Sequence, residues 1–128
     1  MDNKQKGSGY KKNIGVTGEK AAVDFLEKLD GWHILDVNYS CPIGEIDIVA
    51  RDGDTIVFVE VRSTGFAGFE LIGESINYRK QKKIKQLASY YMKNKKLFCR
   101  PCRFDVLLVQ IDPKSMEPEE INWIKDAF

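Results

Sequence analysis

The sequence predicts a mixed α/β fold, a β-sheet flanked by helices, with elements in the order αβββαββ. Three observations carry it. Two stretches of helical periodicity, near 14–29 and 76–95, are separated by β-rich apolar runs. The runs at 44–50 and 55–62 are joined by Asp52-Gly53-Asp54, the signature of a tight antiparallel hairpin. Two further strand-like runs, 104–111 and 121–124, follow the second helix.

Taken in order, residues 1–13 are polar and glycine-containing and read as a disordered basic tail, with a single domain over 14–128. The first helix ends at Asp30-Gly31 and carries an apolar stripe of Ala22, Val23, Phe25, Leu26 and Leu29. Glu19 lies three, four and seven residues before Ala22, Val23 and Leu26, so an acid shares the inward face. A strand over 32–39 is stopped by Ser40-Cys41-Pro42, and the hairpin follows. Residues 63–74, with three glycines and the aromatics Phe66 and Phe69, read as a mobile loop. The second helix buries Ile84, Leu87, Ala88 and Tyr91. The strand at 104–111 stops at Asp112-Pro113, and 121–124 is a short edge strand.

Composition narrows the classes. A chain of 128 residues, 43% hydrophobic and 30% charged, suits one globular domain with its own core. No apolar run approaches the ~20 residues that cross a bilayer, and the polar start is no secretory signal, so the expectation is a cytoplasmic protein with no membrane partner. Cys99-Arg100-Pro101-Cys102 has the spacing of a redox or zinc half-site, but Cys41 and His33 are isolated, so free thiols are expected. Net charge is only +1, yet residues 75–103 hold ten of the twenty basic residues and no acid. Such segregation points to a polyanion, although a solubilising helix face would look similar.

Within the hairpin, Glu45 and Asp47 precede Glu60 and Arg62. Carboxylates inside apolar strands are costly to bury unless a cation or donor compensates them. If Asp47 and Glu60 face each other across the hairpin, both reach one hard cation, Mg²⁺ or Mn²⁺, with the Val61 carbonyl completing the oxygen shell. Glu19 could orient a water from the helix above, and Arg62 could stabilise charge on a phosphate. A site of this kind suits phosphodiester hydrolysis, with Arg79, Lys80, Lys82, Lys83 and Lys85 holding backbone phosphates. The plainer alternatives are solvated strand acids and an exposed Glu60–Arg62 ion pair. Asp105 reads as a structural salt-bridge partner, and His33 as a surface residue.

Gly18-Glu19-Lys20-Ala21-Ala22, Gly44-Glu45-Ile46-Asp47, Phe58-Val59-Glu60-Val61-Arg62, Arg79-Lys80-Gln81, Arg103-Phe104-Asp105-Val106 and Trp123-Ile124-Lys125-Asp126-Ala127-Phe128 together resemble the YraN family of small bacterial proteins. That family is similar to restriction-endonuclease-like nucleases and to archaeal Holliday-junction resolvases. The resemblance implies a metal-dependent endonuclease acting on DNA, of branched or single-stranded form. Asp47 and Glu60 would be metal ligands, Glu19 the helix-borne acid, and Arg62 would stand at the nuclease lysine position. Arginine stays charged, so Arg62 orients or stabilises and does not serve as a base. A non-catalytic nucleic-acid-binding module with a vestigial site is the alternative. Gln86 and Tyr90 resemble a Q-x-x-x-Y helix motif of some of these nucleases. A homodimer would suit a two-stranded substrate, by analogy alone.

Overall fold

The computed structural model describes residues 3–65 and 76–128, with side chains from residue 13 onward. Among these, the elements are α1 (Asn3–Glu27), β1 (Trp32–Cys41), β2 (Gly44–Asp52), β3 (Thr55–Thr64), α2 (Tyr78–Asn94), β4 (Cys102–Ile111) and β5 (Pro118–Ile124). The strands form one sheet in the order β1-β2-β3-β4-β5. β1, β2 and β3 make an antiparallel meander, β3 and β4 run parallel, and β5 returns antiparallel along β4. A parallel neighbour requires a crossover, and α2 lies in that connection. The mixed sheet, its two flanking helices and the order αβββαββ are as the sequence predicts.

Most boundaries shift by a residue or two, and three differences matter most. α1 begins at Asn3, so residues 3–13, expected as a disordered tail ahead of a helix at 14, have helical backbone. Polarity alone does not stop a helix that lacks proline, and a lysine-rich run can propagate from the packed stretch behind it. β3 continues to Thr64, past the expected loop start at Ser63; Phe66, Phe69 and the rest of that loop lie outside the described residues. β5 starts at Pro118 and pairs with β4 from Val106 to Ile111, longer than the expected 121–124.

Each face of the sheet is covered by one helix. Ala22 and Leu26 of α1 pack with Trp32, Ile48, Ala50, Val57, Val59 and Leu107. On the opposite face, Leu87, Ala88, Tyr91 and Met92 of α2 meet Ile46, Val49, Ile56 and Phe58. β3 therefore reads as an unbroken apolar run because both of its faces are buried. Side chains alternate as a pleated strand requires at 48, 49 and 50, but Ile46 joins the α2 side with Val49. The alternation breaks at Asp47, just where the β2–β3 ladder ends at Ile48 and Val59.

A buried acid ties β4 to the segments around it. Asp105 is fully buried and accepts hydrogen bonds from Arg103, from Trp123 Nε1 at 3.0 Å and from the Asp126 amide at 2.9 Å. Arg103 also reaches Asp52 at 3.1 Å and lies over the Trp32 ring. The structural role expected for Asp105 is thereby met, its charge satisfied from three segments.

Candidate functional site

Where β2 and β3 part, the pleat places two carboxylates opposite each other. The pairing Ile48–Val59, carried one step on, sets Asp47 against Glu60 as the sequence predicts. The strands no longer exchange backbone bonds there, and Asp47 Oδ2 instead accepts from the Val61 amide at 2.9 Å. Val61 thus enters through its N–H, whereas the sequence suggested its carbonyl. The Asp47 and Glu60 carboxyls come close enough for each to perturb the other.

The electrostatics follow from that contact. Burial, reinforced by the Asp47 charge, pushes the Glu60 carboxyl up to about 7, against the opposing pull of Lys80 and Arg62. Burial also raises Asp47, partly offset by the Val61 amide and by the neighbouring Glu60 carboxyl. Two cations frame Glu60 Oε1: Arg62 Nε at 3.6 Å and Lys80 Nζ at 3.7 Å. Arg62 Nε is buried and has no hydrogen-bond partner among the described residues, a donor without an acceptor beside the acid pair.

Glu19 stands at the margin of the pair. Its pKa is raised by burial and then by the Asp47 charge, while the Asn38 side chain hydrogen-bonds it. Asn38 adopts a left-handed φ of 54° inside β1, a conformation Asn tolerates better than most residues. A hollow of about 300 Å³ opens beside Glu19, Val23, Val37 and Asn38. Gly18 lets α1 approach this closely, since a Cβ there would come within 2.7 Å of Ser63 Cβ and closer still to its Oγ. Glu45 is exposed and only adds a weak charge contribution at Glu19.

Of the sequence-predicted residues, Asp47, Glu60, Val61 and Arg62 meet, and Glu19 is near enough to feel Asp47. Lys80 also belongs here, although its sequence context suggested only a phosphate contact. Arg79, Lys82, Lys83, Lys85, Gln86 and Tyr90 are exposed along α2, and none of them is among the groups that perturb the acid pair. Sequence reasoning missed Asn38; an Asn interrupting a strand-like run is the signal that could have revealed it. Cys41, Cys99 and Cys102 are free thiols, as expected.

Among the described residues, no group of three or more His, Cys, Asp or Glu side chains is close enough to hold a metal ion. The acid pair therefore offers two hard carboxylates and, among the described residues, no third acidic ligand. No described helix is long and apolar enough to cross a membrane.

Comparison with known proteins matches residues 18–109 to the uncharacterised protein family UPF0102. The match opens on Gly18-Glu19 and takes in both acids of the hairpin. A UPF0102 protein of Caldicellulosiruptor saccharolyticus is 42% identical over 118 residues, 92% of this chain and 98% of that protein. One from Caldicellulosiruptor bescii is 45% identical over 122 residues, covering 91% and 98%. One from Clostridium perfringens is 42% identical over 119 residues, covering 93% and 96%. Coverage nearly end to end at these identities places the acid pair, its cations and the helix acid within a shared framework, and the chain belongs to the UPF0102 family, the YraN-like family that its motifs resemble.

Proposed function

We propose that this chain is a Mg²⁺- or Mn²⁺-dependent endonuclease that hydrolyses phosphodiester bonds of DNA, branched or single-stranded. One observation carries the reading: Asp47 and Glu60, from neighbouring strands, come together where the β2–β3 ladder ends, with Arg62 and Lys80 beside Glu60. Two buried like charges at one spot are a standing cost unless a cation joins them. A mixed sheet between two helices, with the acids at the parting of β2 and β3, also agrees with the restriction-endonuclease-like arrangement that the motifs imply.

The residues divide the work. Asp47 and Glu60 would hold the divalent ion, which supplies Lewis acidity toward a phosphoryl oxygen and toward water. The Val61 amide fixes the Asp47 carboxylate, so its free edge is aimed before substrate arrives. Arg62, permanently charged and with an Nε unpartnered among the described residues, is suited to bind a non-bridging phosphate oxygen as negative charge develops. Lys80 adds a second positive charge at the same carboxylate and supplies a lysine beside the position that Arg62 occupies in the nuclease pattern. Glu19, oriented by Asn38, can accept a hydrogen bond from an attacking water.

Thermal unfolding in the presence of Mn²⁺ tests the reading. An excess of a hundredfold over Kd should stabilise the wild type by about 2.7 kcal/mol. Asp47→Ala should abolish that gain and the cleavage of branched or single-stranded DNA, with DNA affinity retained. The second reading, a binding module with a vestigial site, draws on Arg62 standing where a lysine is expected and on the two-carboxylate donor set. It prevails if wild type binds DNA but shows neither manganese stabilisation nor cleavage.

A further inference from the structure

Two hollows meet along the exposed side of α2. One, of about 260 Å³, runs beside the first half of the helix between Tyr78 and Ser89, past Lys82 and Gln86. The other, of about 490 Å³, continues from Ser89 past Lys93 to Phe98 and Arg100. Lys85 and Ser89 line both, so the two hollows adjoin and together make a furrow along α2. Among the described residues its lining contains no acid. Arg100 has Asp54 at 3.5 Å, but that carboxylate is almost wholly exposed and screened by water.

Each end of the furrow carries an exposed aromatic ring. Tyr78 is 78% exposed and Phe98 66%, while the cations of Lys82, Lys85 and Lys93 lie between them. Phe98 is not needed by the core, because Phe58, Phe104 and Phe128 stack on one another without it. From Tyr78 to Lys93 the helix rises about 22 Å, at 1.5 Å per residue. That length matches about six nucleotides at a stacked spacing near 3.4 Å. Lys80, in the first turn of the same helix, touches Glu60 from the side turned to the sheet, so a strand leaving the Tyr78 end reaches the acid pair by passing round the start of α2.

Cations alone would suit any polyanion, but the rings discriminate. In a duplex the base faces are already stacked and cannot reach a ring set in a furrow, so only phosphate contacts would remain. An acidic peptide does not carry a flat face on each charged unit, as a nucleic acid strand does. A single strand supplies both phosphates for the lysines and bases for the rings.

We propose that the furrow along α2, from Tyr78 to Phe98, is a track for single-stranded DNA, with a base stacked on Phe98 and the strand leading to the Asp47–Glu60 pair. The track deepens the nuclease reading by naming the form of substrate, and its DNA-directed sense rests on that reading.

The test compares an oligothymidylate with a blunt duplex of equal length, by fluorescence anisotropy at low salt. Phe98→Ala should weaken oligothymidylate binding by about tenfold and duplex binding by less than about twofold. Melting temperature and the manganese-induced thermal shift should be unchanged, since the ring is exposed and remote from the acids. Phe98→Trp should retain the wild-type preference. Equal affinity of wild type for duplex and single strand overturns the proposal. So does an equal loss on both substrates in Phe98→Ala, or competition by oligoglutamate as effective as by oligothymidylate. A wild type without manganese response whose oligothymidylate binding still depends on Phe98 keeps the track and removes the nuclease reading, so the two failures are distinct.

Discussion

Glu60 sets the charge balance of the acid pair and makes it sensitive to pH. Its folded carboxyl titrates at about 7, against an ordinary 4.5. Between those values the folded state holds a proton that the unfolded chain has lost, so stability falls as pH rises through that window. The stabilisation is complete below about 4.5, and the loss, at most about 3 kcal/mol, is complete above 7. Urea titrations at several pH values should show this decline in wild type and a flatter profile in Glu60→Gln. A divalent ion competes with the same proton, so manganese stabilisation should be larger at about pH 8 than at about pH 5.5. Gly18 is the other decisive single residue. Gly18→Ala replaces a helix-weakening residue with the best helix former, yet the new Cβ meets Ser63. Overpacking should win, costing about 1–3 kcal/mol in chemical denaturation, and Ser63→Gly in the same chain should restore most of it. A gain in stability from Gly18→Ala would show that α1 can shift without penalty.

At the scale of elements, α2 has two separable roles. Its inward stripe of Ile84, Leu87, Ala88, Tyr91 and Met92 closes one face of the sheet. Asn77 caps the helix by accepting from the Lys80 amide at 2.9 Å, which also fixes the turn that carries the Lys80 side chain to Glu60. Its outward lysines lie on a surface that packing does not use. Charge reversal at Lys82, Lys83 and Lys85 should therefore leave the melting temperature nearly unchanged. It should lower affinity for DNA of any sequence and reduce the salt slope by about one for each phosphate left without its lysine. An unaltered salt slope would remove these lysines from the interface. The buried stripe of α2 and its exposed lysine row were both legible in the sequence, because apolar periodicity and an acid-free charge run are local signals. The hairpin was legible for the same reason, Asp52-Gly53-Asp54 marking its turn and the register following. What was not legible depends on breaks in regularity. The lost alternation at Asp47 and the left-handed Asn38 lie within the β1–β2 ladder, between the pairs Val37–Ile48 and Tyr39–Ile46, an irregularity that a period-two pattern cannot express. The placement of Lys80 needed the crossover, and the helical backbone over 3–13 needed the context of the packed helix that follows it.

The molecule as a whole is held together by contacts of very different reach. The meander β1-β2-β3 is built from neighbouring hairpins, whereas Tyr91 donates to Asp36 at 2.7 Å across 55 positions. Arg103 reaches Asp52 across 51. Long-range bonds reward the chain only after a large loop has closed, and parallel pairing of β3 with β4 waits on the same closure. The refolding route should therefore run through the hairpins, with α2 and β4 docking after the rate-limiting barrier. Tyr91→Phe deletes the longer of these bonds at a cost of about 1 kcal/mol. Stopped-flow chevrons should show unfolding about fivefold faster with refolding hardly changed. A slowed refolding limb instead would place the docking of α2 inside the nucleus.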